Sequence, residues 1–179
     1  MKNKIIVCGL NGTGKSTLGK KLAQELGWKF LDIEEYYFPK TSGDYKYSAS
    51  RTKEQVKELL LEDMEKYDNL VLASVHGNYG ERVAAMFTGA VWINTPKEIR
   101  MERVRNRSYQ KFGDRILPGG DLHDKEEYFF NMVSKREESY VTEWLDSMNI
   151  PVIQVDGTEP IEKSIKIIEL HFKKDSFSL

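Results

Sequence analysis

The chain has 179 residues, 40% of them hydrophobic, with 27 Lys and Arg against 28 Asp and Glu for a net charge of −1. That length suits one domain with its own core, and the near-neutral balance gives no electrostatic reason to expect nucleic acid or an anionic membrane as partner. The one cysteine, Cys8, excludes an internal disulfide and fits a reducing, cytoplasmic setting, and the apolar run Ile5 to Cys8 is too short for a signal peptide or a membrane span.

Lys4 to Cys8 reads as a buried strand. It runs into Gly9-Leu10-Asn11-Gly12-Thr13-Gly14-Lys15-Ser16, which has the spacing of a phosphate loop. Glycines let backbone N–H groups turn toward phosphate oxygens without a Cβ in the way. Lys15 has the reach for β and γ phosphates, and the Ser16 hydroxyl suits Mg²⁺. Leu18, Leu22 and Leu26 then recur at helical spacing, and Gly27 marks the stop. The motif therefore lies between a strand and a helix N-terminus, where the helix dipole favours an anion. Gly9, Asn11, Gly12, Thr13, Gly14, Lys15, Ser16 and Thr17 are the expected ATP-binding residues.

Trp28 to Ile33 predicts a second strand, ending in Asp32-Ile33-Glu34-Glu35. Carboxylates at a strand end suit Mg²⁺, through water, or an acceptor hydroxyl; Asp32 is assigned both roles and Glu34 a substrate-binding one. Tyr36 to Ser50 lacks a period and predicts a loop. A helix is expected from Arg51, with Val56, Leu59, Leu60, Met64 and Tyr67 on one face. Arg51 and Glu54, one turn apart, make either a surface ion pair or a grip on an anionic acceptor.

Leu70 to Val75 is a third strand, continuous in its apolar character as a doubly covered strand should be. His76 to Gly80 forms the loop beyond it, with His76 and Asn78 as acceptor-pocket candidates beside Tyr36, Tyr37 and Arg51. A short helix to about Met86 and a fourth strand, Ala90 to Asn94, follow. Thr95 and Glu98 have capping-box spacing, with Pro96 at the first helical position. The helix they open carries Arg100, Arg103, Arg105 and Arg107. With Lys111 and Arg115 these make a basic cluster suited to a lid that closes on ATP over about residues 104–123. A solvated basic helix and a nucleic-acid patch are the alternatives.

Phe112 to Leu122 breaks regular structure. One long helix is expected from about Asp124, burying Tyr128, Phe129, Met132, Val133, Tyr140, Trp144, Leu145 and Met148 and carrying Arg136. Pro151 to Val155 is a fifth strand. Ile161, Ile165 and Ile168 line a last helix, and Lys173 to Leu179 reads as a frayed tail. Strand–helix alternation repeated about five times predicts an α/β fold with three layers: a five-stranded parallel sheet between helices. Right-handed crossovers then gather the loops after the strands on one carboxyl edge. No metal-ligand spacing links His76, His123 and His171, and no nucleophile elbow is present.

These residues resemble the small P-loop kinases, the adenylate kinase and shikimate kinase group, over nearly the whole length. Arg103 with Arg107 after a Pro-x-Glu helix start is similar to the adenylate kinase helix leading into the lid. Lys135-Arg136, Tyr140 and a strand ending Asp156-Gly157-Thr158-Glu159-Pro160 look like the stretch beyond that lid. The resemblance implies that Arg136 faces the transferred phosphate and that Gly157 and Thr158 contact adenine. Asp32-Ile33-Glu34 and Arg51-x-x-Glu54 are similar to the Asp-x-Asp and Arg-x-x-Glu of shikimate kinases. The acceptor motifs differ: Val75-His76-Gly77-Asn78-Tyr79 stands where adenylate kinases have Asp-Gly-Phe-Pro-Arg and shikimate kinases a triple glycine.

The reading is therefore one domain, residues 1–179, acting as an Mg²⁺- and ATP-dependent kinase on a small-molecule acceptor. Lys15, Asp32, Arg103, Arg107 and Arg136 are its expected catalytic residues, Arg103 also touching ATP. A nucleotide-binding regulator with slow hydrolysis is the alternative, and a nucleoside- or RNA-end-modifying kinase a third reading. The acceptor, the choice between ATP and GTP, and the oligomeric state are not specified by the sequence.

Overall fold

The computed structural model describes residues 2–39, 45, 47 and 50–175. Residues 40–44, 46, 48 and 49 of the expected loop and 176–179 of the expected tail lie outside the described residues. The strands are β1 (Asn3–Cys8), β2 (Lys29–Asp32), β3 (Asn69–Ser74), β4 (Gly89–Asn94) and β5 (Val152–Asp156). They form one sheet in the order β2-β3-β1-β4-β5, every pairing parallel. The helices are α1 (Lys15–Leu26), α2 (Ile33–Tyr37), α3 (Lys53–Lys66), α4 (Glu81–Ala84), α5 (Lys97–Phe112), α6 (His123–Ser134), α7 (Ser139–Asp146) and α8 (Ile161–Asp175), with a 3-10 turn at Gly113–Ile116.

Side chains alternate across a strand, so β1 feeds two cores. Ile6 and Cys8 join Leu60, Met64, Leu72, Val83 and Trp144 on one face. Ile5 and Val7 join Leu18, Leu22, Val91, Ile165 and Ile168 on the other. The sheet is thus covered on both sides, which is what its continuous apolar strands require. A smaller cluster, Val104, Ile116, Leu122, Phe130 and Val133, lies under α5 and α6, apart from the sheet. Cys8 is fully buried, and burial pushes its thiol up to about 12, so it is an inert core residue.

Several details differ from the sequence reading. Helix α2 begins directly at the end of β2, because the Asp32 carboxylate accepts the Glu34 N–H as an N-cap. Helix α3 opens on a capping box of Thr52 and Gln55, with Lys53 rather than Arg51 as its first residue. At α5 the cap is Pro96, not Thr95, and the Thr95 hydroxyl is buried with no hydrogen-bond partner among the described residues. A Cβ on Gly157 would collide with that hydroxyl, so close packing on the Gly157 backbone is what Thr95 provides. The expected long helix is two, α6 and α7, and α8 continues through the start of the expected tail. Tyr128, Met132 and Tyr140 are exposed, not buried.

Candidate active site

The loop from Gly9 to Ser16 is curled by its own threonine: the Thr13 hydroxyl donates to the Leu10 carbonyl at 2.9 Å and the Thr13 N–H to the same oxygen at 3.3 Å. Gly12, at φ +86°, lies so close to α5 that a Cβ would strike the Arg100 carbonyl. Gly14 is the left-handed cap of α1, leaving the first-turn amides of Lys15, Ser16 and Thr17 without intrahelical acceptors. Such an N-terminus is a ready anion site.

The Lys15 ammonium reaches back to the Leu10 carbonyl at 3.3 Å. Burial lowers its pKa to about 8; Glu34 and Asp32 pull it up, and Arg107 and Arg136 push it down. Those four side chains therefore converge on the loop from α2, α5 and the turn after α6. A bound phosphate would favour the charged ammonium, so its bound pKa lies above the free value. Nucleotide binding above pH 8 is then expected to take up a proton, with affinity full below about pH 8 and falling as pH rises past it. Calorimetry in buffers of different ionisation enthalpy checks this; no proton uptake at pH 8.5 would contradict it.

The basic residues of α5 do not act as one cluster. Arg100 is only 3% exposed, and its guanidinium donates to the carbonyls of Thr95 at 3.2 Å and Asn11 at 3.3 Å. It holds the phosphate loop from behind, a role sequence reasoning missed. Its signal was its place on one face with Val104 and Ser108, both buried. Arg105 pairs with Glu127 at 2.8 Å and lies over the Phe130 ring; Arg115 pairs with Asp121 at 2.6 Å. Arg103 and Arg107 take the two sides of the loop.

On one side, a cleft of about 340 Å³ is lined by Thr13, Gly14, Thr17, Arg103, Asp156 and Gly157. Arg103 donates to the Gly157 carbonyl at 2.9 Å, so it ties α5 to the turn after β5. The Thr158 amide and hydroxyl both donate to Asp156, which fixes that turn's shape. On the other side, a cleft of about 460 Å³ runs between α2 and the α6–α7 turn, with Asn11 at its loop end. Glu34, Lys53, His76 and Arg136 are its charged or titratable lining. Arg136 donates to the Asn11 side chain at 2.7 Å, and Arg107 lies 3.9 Å from Glu34.

Other predicted residues lie elsewhere. Arg51 donates to the Tyr36 carbonyl at 2.8 Å and lines a separate outer cleft with Asp32 and Asp63. Glu54 is exposed, so the expected Arg51–Glu54 grip is not assembled at the aromatic cleft. Tyr36 is buried with its hydroxyl on Asp63 at 2.5 Å. Asn78 is exposed, and its amide N–H donates to His76 Nδ1 at 3.1 Å. Burial, with Lys53 and Arg136 nearby, lowers the His76 pKa, so the ring is neutral at pH 7 and carries its proton on Nε2. His76 is thus a hydrogen-bond donor rather than a base.

Among the described residues no three His, Cys, Asp or Glu side chains are grouped to hold a metal. That suits Mg²⁺, which keeps much of its water and relies on phosphate oxygens with one or two protein ligands; Ser16 and Asp32 fit such a part. Among the described residues no helix is long and apolar enough to cross a membrane.

A family model described as an AAA domain matches residues 5–129. The chain is 26% identical over 164 residues to the uncharacterized protein YqaC of Bacillus subtilis, covering 87% of this chain and 89% of that one. It is 35% identical over 80 residues to a shikimate kinase of Clostridium botulinum, covering 43% of this chain and 48% of that enzyme. The solved shikimate kinase of Bacteroides thetaiotaomicron superposes with a TM-score of 0.59 at 20% identity, covering 96% of this chain and 98% of that one.

Proposed function

The chain belongs to the AAA domain family of P-loop proteins, and from that premise we propose that it is a small kinase, an Mg²⁺-dependent phosphotransferase moving the γ-phosphoryl group of ATP to a small acceptor. The observation that carries the reading is the pair of clefts flanking one loop, with Lys15 between them. The smaller cleft beside Arg103 and Gly157 takes the nucleoside end of ATP. The larger one takes the acceptor.

Lys15, the α1 amides and Arg136 hold the migrating group's oxygens, and Arg107 adds a second guanidinium as charge spreads in a loose transition state. Ser16 and Asp32 would hold Mg²⁺, which would supply neutralisation of phosphate charge. Glu34 lines the acceptor cleft and accepts the acceptor hydroxyl's hydrogen bond, while His76 donates through Nε2. The acceptor oxygen bonds to phosphorus as the bond to the β-phosphate oxygen breaks; the hydroxyl proton leaves toward Glu34, giving a phosphomonoester and ADP. Residues about 104–123, resting on their own small cluster, form the moving lid.

Incubation with labelled ATP, Mg²⁺ and a panel of nucleosides, nucleotides, sugar acids and shikimate tests the reading. Label is expected to reach one acceptor class in stoichiometry with ADP. ATP turnover that no acceptor accelerates, with a protein partner co-purifying, would favour a nucleotide-dependent regulator instead.

A further inference from the structure

The larger cleft has an unusual wall for a site meant to hold a polyhydroxy acid. Its described lining includes Tyr37, Phe38, Tyr47, Tyr79, Phe129 and Tyr140. A carboxylate with several hydroxyls needs donors and cations around it; rings supply neither in quantity. Nor do these tyrosines offer all their hydroxyls. The Tyr79 hydroxyl is 3.0 Å from Ser74 Oγ, and the Tyr45 hydroxyl donates to buried Glu126 at 2.8 Å. With their hydroxyls engaged inside the protein, Tyr45 and Tyr79 contribute chiefly ring to the cleft that they line.

The rings are also braced against one another. Phe38 meets Tyr47 edge to face at 4.9 Å, Tyr45 meets Tyr47 at 5.5 Å, and His76 meets Tyr140 at 4.9 Å. Tyr140 is 49% exposed and Met132 38% exposed, although both belong to otherwise well-packed helical segments. They stay uncovered because they border this cleft. At about 460 Å³ it falls in the range of a small-ligand site. Its charged lining, one carboxylate with one ammonium and one guanidinium that already bonds Asn11, is too sparse for a polyanion.

We propose, resting on the kinase reading of this site, that the acceptor is an alcohol built on a planar aromatic ring, a nucleoside or a similar heteroaromatic compound, stacked among Tyr140, Phe129 and Tyr37 with its hydroxyl turned toward Glu34 and the phosphate loop. Stacking tolerates many rings because each has a π face, and selectivity among them comes from His76, Lys53 and Glu34 at the ring edge.

Saturation-transfer NMR and calorimetric titrations on the whole chain with Mg²⁺ and ADP test this. The probes are adenosine, guanosine, cytidine, thymidine and pyridoxine against shikimate, gluconate and choline. At least one ring compound is expected to bind, with its ring protons receiving the strongest transfer. Tyr140→Leu and Phe129→Leu are each expected to weaken that binding roughly 5- to 100-fold. Tyr140→Phe, which keeps the ring, is expected to stay within about twofold of the parent. Tighter binding of shikimate, gluconate or choline than of every ring compound overturns the proposal. So does the absence of any ring binding, or equal ring affinity in Tyr140→Leu. ATP-dependent transfer to a sugar acid would sink this inference and leave the kinase reading standing; ring binding with no transfer to any acceptor would do the reverse.

Discussion

Lys15→Met is expected to lower phosphoryl transfer by about 10³-fold or more while the protein melts at a higher temperature at pH 7. Both halves follow from where the ammonium sits. It lies in the field of Glu34, Asp32, Arg107 and Arg136 at the curl of the phosphate loop. A phosphoryl group in transit spreads charge over its peripheral oxygens, and removal of one preorganised donor from such a site costs on the order of 10²–10³ in rate. Lys15 is both a donor and a full charge, so the upper end of that range is the floor here. The stability half is a sign argument. Burial lowers the ammonium's pKa to about 8 in the folded chain, below its ordinary 10.5. Charging it therefore opposes folding, fully below about pH 8 and less as pH rises toward the unfolded value. Methionine has similar reach and no charge, so it removes that cost. Transfer rates with the panel acceptor and a thermal scan at pH 7 and 10 check both halves. Retained transfer would remove Lys15 from the mechanism; a lower melting temperature at pH 7 would mean that the Leu10 hydrogen bond outweighs desolvation.

Much of the frame was readable because single residues fix it locally. Glycines at the loop and leucines at helical spacing placed β1, the loop and α1 before any coordinates. A continuous apolar run placed β3 as a doubly covered strand. Misreadings arose where a local pattern had a competing tertiary use. Thr95 and Glu98 have capping-box spacing, yet the Gly157 backbone packs on the threonine hydroxyl and the helix opens one residue later. Met132 and Tyr140 fit the apolar period of a helix, but a cleft rather than a core lies beside them. Periodicity reports which residues share a face, not what lies opposite that face.

The site was legible in proportion to how local its chemistry is. The phosphate loop is one contiguous motif, and Glu34, Arg107 and Arg136 were found as strand-end and helix residues that the topology gathers. The larger cleft draws its rings from α2, the following loop, the turn after β3, α6 and α7. No short stretch of sequence announces such a wall. Asp32 and Arg51 illustrate the same limit: a carboxylate at a strand end has two oxygens to offer, and here one of them, Oδ1, caps α2, a use that nothing in the local pattern announces. Arg51, by sequence a partner for the acceptor, secures the Tyr36 carbonyl at the C-terminal end of that helix.

Arg100 gives the largest expected stability effect, and it was hidden among arginines that look alike. Arg103, Arg105 and Arg107 have half-exposed or exposed side chains, whereas Arg100 is buried with its guanidinium on two backbone carbonyls, one of them in the phosphate loop. Arg100→Met keeps most of the volume and leaves the Thr95 and Asn11 carbonyls without that donor. Stranding the buried Thr95 acceptor costs about 1–3 kcal/mol and the part-buried Asn11 acceptor less, so a loss of roughly 2–4 kcal/mol is expected. For a chain of this size that is a fall of roughly 5–15 °C in melting temperature. The damage should not stop at stability. Asn11 is held by Arg100 through its carbonyl and by Arg136 through its side chain, and Gly12 packs on the Arg100 backbone. Releasing one tether lets the loop relax, so affinity for a non-hydrolysable ATP analogue falls even at temperatures where the variant is folded. Arg103→Met is the control: its side chain binds one exposed carbonyl at Gly157, so melting stays within about 2 °C while nucleotide affinity drops. Thermal unfolding with and without the analogue separates the two. If Arg100→Met melts like the parent, its guanidinium does not brace the loop. If both variants lose affinity equally without any difference in melting, the division between an arginine behind the loop and one beside the ligand is wrong.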